Sequence, residues 1–488
     1  MTSAPGERGL LIGGSWVDGS GAGYDVVNPA TEAVVGVAPE SGPDDARAAA
    51  AAAAEAFPAW SRTAPEERAA LLDRVADLLE ARMGDLVPLV QAETGATLAV
   101  TTSLQIPQAI TRFRRYARGA LEPTRVPLPP GQQAATPLAA GGLISAVALR
   151  QPVGVVAAIT SYNFPMTNMA GKICPALAMG NTVVVKPAPQ DPLAVIELVA
   201  IMEEAGFPPG VVNVVNAPGA EAAEALVASP DVDMISFTGS TEVGRRIGEV
   251  AGRDMKRLLL ELGGKGASIV FDDADLDAAV AGTGSTFAFH SGQICTAPTR
   301  VLAQRGVHDQ VVERLGAMAA ALKLGDPLEP DTIVGPVISA AHRERVQGHV
   351  EGGAAEGATL VTDAGGPLPD TGWYVAPALL ADVTADMRVA QEEIFGPVVV
   401  VLAFEDEDEA VALANATPFG LYDYVWSADG NRAFTVASQL RSGNVGLNTL
   451  QRNHEAPFGG FKASGVGRDG GSFGLHAYSE LQSVVWSS

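Results

Sequence analysis

The strongest constraint in this sequence is a regular alternation of short β-branched stretches with helical ones that begins at Val153. Residues 153–159, 182–186, 211–215 and 234–238 read as strands, and 166–179, 193–205, 220–228 and 242–251 as the helices between and after them. Gly180-Asn181 and Gly206 stop the first two helices. Strands joined by helical crossovers can only lie parallel, so this stretch predicts a sheet built from βαβ units, with ligands beyond the carboxyl ends of its strands. The texture returns over residues 268–461: helix at 276–290, strand at 299–304, helix at 308–322, strand at 398–404. Two α/β regions are therefore expected.

The flanks read differently. The first 120 residues open with β-like stretches at 10–17 and 24–37, and helices follow at 44–56 and 65–82. Residues 121–142 are rich in Pro, Gly and Thr and read as an excursion or boundary, after which 144–150 and 477–486 read as strands. With 488 residues, about three domains are expected. A net charge of −24 repels phosphate backbones and anionic lipid, which argues against nucleic acid or a membrane as partner. The stretch Met1–Trp16 lacks the basic head and apolar run of a leader, and no run is long enough to span a bilayer, so a cytoplasmic protein is expected.

Only two cysteines are present, Cys174 and Cys295, and the six histidines form no HxxxH or HExxH pair, so neither disulfides nor a metal are expected. Cys174 lies in an apolar helical stretch, as a buried filler would. Cys295 lies in the polar turn Ser291-Gly292-Gln293-Ile294-Cys295-Thr296, which suits a nucleophile better. Glu261 follows Leu258-Leu259-Leu260 at the end of an apolar strand, where burial raises a carboxyl toward the range of a useful base. Asn163, after the first strand of the sheet, offers a neutral NH2 donor. Lys186, one of only six lysines, ends the second strand, where a donor to ribose hydroxyls would sit. The turn Phe237-Thr238-Gly239-Ser240-Thr241 opens a helix; it reads either as an anion site or simply as a well-capped helix. Together these residues suggest oxidation through a thioester.

Seven stretches in order then resemble the NAD(P)-dependent aldehyde dehydrogenase superfamily over essentially the whole length. They are Ile12-Gly13-Gly14-Ser15-Trp16-Val17 with Asn28-Pro29-Ala30-Thr31, Tyr162-Asn163-Phe164-Pro165, Lys186-Pro187, Phe237-Thr238-Gly239-Ser240-Thr241, Glu261-Leu262-Gly263-Gly264-Lys265 with Gly292-Gln293-Ile294-Cys295, Glu392-Glu393-Ile394-Phe395-Gly396-Pro397, and Pro457-Phe458-Gly459-Gly460-Phe461-Lys462. The resemblance implies a Rossmann-like cofactor domain over 1–129 and 152–261, an α/β catalytic domain over 262–470, and a small β oligomerisation element from 130–151 and 471–488. It implies Cys295 as nucleophile, Asn163 with the Cys295 N–H as oxyanion hole, and Glu261 as the base for the hydrolytic water. It also implies that Lys186 holds the adenosine ribose, Ser240 the pyrophosphate and Glu393 the nicotinamide ribose, that Phe395 packs near the nicotinamide, and that Gly219 lets the cofactor lie close. A homodimer or homotetramer follows from the same resemblance, the strands at 144–150 and 477–486 offering edges that join across subunits.

Several positions depart from the family's pattern. Ser161-Tyr162 precede Asn163 where Pro-Trp is usual, and His290 stands where Asn is common. Pro189 replaces an acid that many NAD-preferring members carry, which predicts use of both NAD and NADP within about tenfold. Gly171 replaces a large aromatic of the substrate tunnel, which predicts a pocket for bulky or ring-bearing aldehydes unless another side chain, such as Met169 or Leu450, fills the gap; Asn168, Arg452 and His454 stand by for a polar substituent. A coenzyme-A-acylating relative is disfavoured by Glu261. A cysteine hydrolase or thiolase-like transferase leaves the nucleotide-type loop without a use, and a silent homologue leaves the intact Cys295, Glu261 and Asn163 without one.

Overall fold

A computed structural model describes residues 8–362 and 368–487. Met1 to Glu7, part of the stretch assessed for a leader, lie outside the described residues. The predicted alternation is realised as a six-stranded sheet in the order Gly465–Val466, Arg257–Glu261, Met234–Thr238, Val155–Ile159, Thr182–Lys186, Val212–Val214. All neighbours are parallel except Gly465–Val466, which adds antiparallel to Arg257–Glu261. Numbered along the chain, the five parallel strands run in the order five, four, one, two, three. The order therefore reverses between Val155–Ile159 and Met234–Thr238, the doubly wound arrangement whose crevice receives ligands.

Helix Pro165–Ala178 shows why both faces of this sheet are apolar. Its residues from Met169 to Ala178 are all buried, because helices Pro65–Ala81 and Ile106–Ala120 cover the side turned from the sheet. Cys174 is fully buried in it, as its apolar surroundings predicted. A second sheet runs Thr359–Leu360, Ala378–Ala381, Val398–Phe404, Arg300–Gln304, Ala267–Val270, Tyr422–Trp426, Asn444–Leu447, parallel except at its first pair. The architecture is α/β with Rossmann-like parallel sheets, as the alternation required.

Three local expectations are corrected. The helix read over 276–290 ends at Phe287, because His290 and Ser291 take left-handed backbone angles (φ 52° and 55°) that no helix accommodates. The Pro-rich stretch 121–142 contains a strand, Arg125–Gln133. Pro127 to Pro130 are tolerated because this is an edge strand, and the register breaks between Leu128 and Gly131 where two prolines have no N–H to offer. The strand at 144–150, extended here to Gly142–Pro152, is not an edge. It is the centre of a three-stranded antiparallel sheet, with Ser479–Ser487 on one side and Arg125–Gln133 on the other, all within the same chain.

Candidate active site

Register explains how distant residues converge. Thr238 pairs with Glu261, and Ile159 with Lys186, so all four stand at the carboxyl edge of the first sheet. Asn163 follows four residues beyond Ile159, on the turn into helix Pro165–Ala178. Ser240 caps helix Thr241–Arg253 by accepting from the Val243 N–H (3.3 Å), leaving its hydroxyl hydrogen free to donate.

Asn163 is buried and held from every side. Its side-chain oxygen accepts from Ser161 Oγ (2.8 Å) and Asn168 Nδ2 (3.3 Å), which fixes the amide so that Nδ2 donates to the Gln293 carbonyl (2.9 Å). Its backbone carbonyl accepts from Gln105 Nε2 (3.0 Å) and lies 2.6 Å from His290 Nε2. Burial pushes His290 down to about 4, so the ring is neutral at pH 7 with its proton on Nε2, donating to that carbonyl. Ser161, Asn168 and His290 were legible only as departures from a family pattern. The fold makes them, with Gln105, the frame around Asn163.

The same frame holds the Cys295 turn. His290, Ser291 and Gly292 are left-handed in succession, an arrangement that persists only where neighbours fix it. Ser291 Oγ donates to the Gly335 carbonyl (2.8 Å), and Gln293 Oε1 accepts from the Ile338 N–H (3.0 Å). Gly292 packs against the Gly396 backbone, so no side chain fits there. Cys295 itself is partly accessible, and its carbonyl lies where a Cβ at Gly264 would collide. Burial pushes its thiol up to about 12, while the Arg452 guanidinium opposes the rise.

Glu261 is buried, and neither carboxylate oxygen has a hydrogen-bond partner among the described residues. Burial raises it well above the carboxylate range, the nearby Asp469 adds to this, and Lys172 works against it. Lys172, which the sequence marked only by its rarity, is buried in helix Pro165–Ala178; its ammonium reaches Ser236 Oγ (3.3 Å) in the middle of the sheet, itself 2.8 Å from the Tyr478 hydroxyl.

The residues assigned to a dinucleotide have the following surroundings. Lys186 is buried and, among the described residues, makes one bond, to the Pro187 carbonyl (3.2 Å), and no ion pair, which leaves two of its hydrogens for a ligand. No acid stands at Pro189, whose carbonyl is taken by the Tyr24 hydroxyl (2.8 Å). Glu393 accepts from the Gly264 N–H (2.8 Å), and burial lifts it to about 7. Phe395 has φ 59° and its ring stands edge-on to Tyr162 at 5.9 Å. Gly219 is exposed, and a Cβ there would meet the Glu221 carboxylate. A spare ammonium and a spare hydroxyl at a helix N-terminus as donors, with a half-buried carboxylate as acceptor, suit ribose and pyrophosphate. The described residues contain no cluster of three or more His, Cys, Asp and Glu fit for a metal.

The room left by Gly171 is not open. A Cβ at 171 would overlap the guanidinium of Arg112, which reaches in from helix Ile106–Ala120. The widening expected for bulky or ring-bearing aldehydes is therefore absent, because an arginine of another helix fills the space. Nothing in the sequence around Arg112 signalled this.

The aldehyde dehydrogenase family profile matches residues 16–484. A betaine aldehyde dehydrogenase of Bacillus subtilis is 38% identical over 97% of this chain and 96% of its own. A glutarate-semialdehyde dehydrogenase of Pseudomonas putida is 40% identical over 96% of both. An aldehyde dehydrogenase from Pseudomonas syringae, solved as a mutant with NAD+ and octanal, superposes with a TM-score of 0.92 at 36% identity, covering 98% of this chain and 96% of that one.

Proposed function

This chain belongs to the aldehyde dehydrogenase family and is a nicotinamide-dependent oxidoreductase of aldehydes, and we propose that it converts them to carboxylic acids through a thioester on Cys295. The observation that carries this reading is the convergence of three groups. Asn163, Glu261 and the Cys295 turn meet at the carboxyl edge of one parallel sheet, Asn163 bonded directly to that turn.

The Cys295 thiol gives up its proton to water, the thiolate being favoured by the Arg452 guanidinium, and the sulfur attacks the aldehyde carbonyl. The second Nδ2 hydrogen of Asn163, with the Cys295 N–H, receives the developing oxyanion; one such donor is worth about 2.7–4 kcal/mol. When bound, NAD or NADP supplies the hydride acceptor for the next stage. Lys186, Ser240 and Glu393 would hold its adenosine ribose, pyrophosphate and nicotinamide ribose, with Phe395 alongside the ring and Gly219 admitting the cofactor closely. No carboxylate at position 189 repels a 2′-phosphate, which supports use of both dinucleotides within about tenfold. Glu261, its oxygens unengaged, takes a proton from the water that hydrolyses the thioester. Residues 1–129 with 152–261 would serve the cofactor, 262–470 the chemistry, and 130–151 with 471–488 assembly.

The test separates the half-reactions. Glu261→Gln cannot accept a proton, so one equivalent of reduced cofactor forms in a burst while steady turnover falls at least a hundredfold. Cys295→Ala loses burst and turnover together, whereas Cys174→Ala keeps both. Undiminished steady turnover in Glu261→Gln would assign the base elsewhere. Relatives named for betaine aldehyde, a cation, and for glutarate semialdehyde, an anion, are about equally similar, so the substrate has to be read from the pocket itself.

A further inference from the structure

Three arginines, Arg112, Arg115 and Arg452, line one cleft, and Arg452 connects it to the Cys295 turn through a bond to Thr296. In a chain with 56 acidic against 32 basic residues, such a cluster needs an account. Two of the three are already neutralised. Arg115 pairs with Glu122 and Glu455, and Arg112 with Asp469 at 3.4 Å. Arg452 has no carboxylate partner among the described residues. Its guanidinium donates to Thr296 Oγ1, on the residue after the nucleophile, and lies over the rings of Phe458 (4.7 Å) and Tyr422 (5.2 Å). Two aromatic faces and one hydroxyl hold the group in place and leave most of its five donors unused.

On the premise that aldehydes are oxidised at Cys295, we propose that this cleft selects aldehydes carrying a carboxylate a few bonds from the carbonyl, with Arg452 as the group that receives it. A guanidinium presents paired N–H donors that match a carboxylate in two parallel bonds. Arg112, paired with Asp469, leaves Arg452 as the cation of this cleft without a carboxylate partner among the described residues. The Arg112 guanidinium fills the space at Gly171, three residues along the helix from Asn168, whose side chain touches Asn163. A quaternary ammonium substrate meets the opposite situation: the Tyr422 and Phe458 faces that would attract it are covered by Arg452. Because Arg452 is exposed at the cleft mouth, salt should weaken its hold on an anion.

The test compares pentanal with 5-oxopentanoate, which differ only by the terminal carboxylate, using the full-length enzyme and saturating NAD. The carboxylated aldehyde is expected to have at least a tenfold higher kcat/KM, and raising ionic strength from about 0.05 M to about 0.5 M should shrink that advantage. Arg452→Gln should lower the ratio at least tenfold, chiefly through KM for 5-oxopentanoate, and Arg452→Lys should restore part of it. Glutarate, which needs no turnover, should compete with both aldehydes in the wild type and much less in Arg452→Gln. A wild type that favours pentanal, or an Arg452→Gln enzyme that slows both aldehydes equally, overturns the proposal; the second result would confine Arg452 to activating the thiol. Failure of the underlying chemistry looks different: no aldehyde is oxidised, or Cys295→Ala still turns over.

Discussion

At the scale of single residues, the site depends on a frame that reaches past the reacting groups. Asn163 is useful only if its NH2 points toward the carbonyl that cysteine attacks, and Ser161 and Asn168 enforce that orientation by occupying the amide oxygen. Asn163→Ala is expected to lower kcat by about 10²–10³, the range for a lost oxyanion donor. Ser161→Ala removes one of two orienting donors and should lower kcat by about tenfold, with the affinity for NAD unchanged in a fluorescence titration. Full kcat in Ser161→Ala would show that Asn168 alone orients the amide. Cys295 and Glu261 announced themselves in the sequence because their chemistry conflicts with a bland local role: a thiol in a polar turn, a carboxylate after three leucines. Arg112 gave no such signal, since an arginine on a surface helix is unremarkable until a glycine 59 residues away turns out to face it.

At the scale of elements, the helix Leu193–Ala205 shows how caps can be supplied from afar. Asp191, next to Pro192, has the composition of a local cap, yet its oxygens have no hydrogen-bond partner among the described residues. Glu93, from helix Met83–Thr94, instead accepts from the Leu193 and Ala194 N–H groups (2.5 and 2.8 Å). Burial raises Glu93 from 4.5 to about 8, opposed by these two bonds. The folded chain therefore holds a proton that the unfolded chain releases near 4.5. This contribution to stability is fully present below about 4.5 and is lost as the pH rises through about 8. Melting curves between pH 5 and 9 should show Tm falling toward alkaline pH. Glu93→Gln, which cannot titrate, should flatten the slope by about 2 °C or more over that range. An unchanged slope would place the responsible protons on other buried acids, such as Asp191 or Asp423.

At the scale of the whole molecule, the three-stranded sheet is the part that remains incomplete. Its outer strands, Ser479–Ser487 and Arg125–Gln133, keep one unpaired edge each and expose Leu481, Val485, Trp486, Val126 and Leu128. An apolar ribbon with free edges invites pairing. We expect a homodimer or a tetramer of dimers, with Val485→Lys shifting the mass toward the monomer in light scattering. A wild type that is a stable, fully active monomer would show that these strands need no partner.

Strand–helix alternation was legible in the sequence because a buried parallel strand must be β-branched and apolar on both faces and its crossover must be helical. Four of the six strands of the first sheet begin and end within two residues of where the pattern put them, while Gly465–Val466, an antiparallel addition, had no such pattern. The nucleophile turn, the acid after its strand and the lysine ending another were legible for the same reason, since each lies next to an element whose period fixes it. What only tertiary structure decided was which side chain occupies which space. Pro127 to Pro130 became part of a strand because their strand lies at an edge. Residues 142–152 became a centre strand because two other segments of the chain, one of them more than 300 residues away, pair with them. The space beside Gly171 was filled by Arg112 from another helix. Periodicity is a property of neighbours along the chain, whereas contacts between elements depend on how whole helices and sheets pack, and no local pattern encodes that.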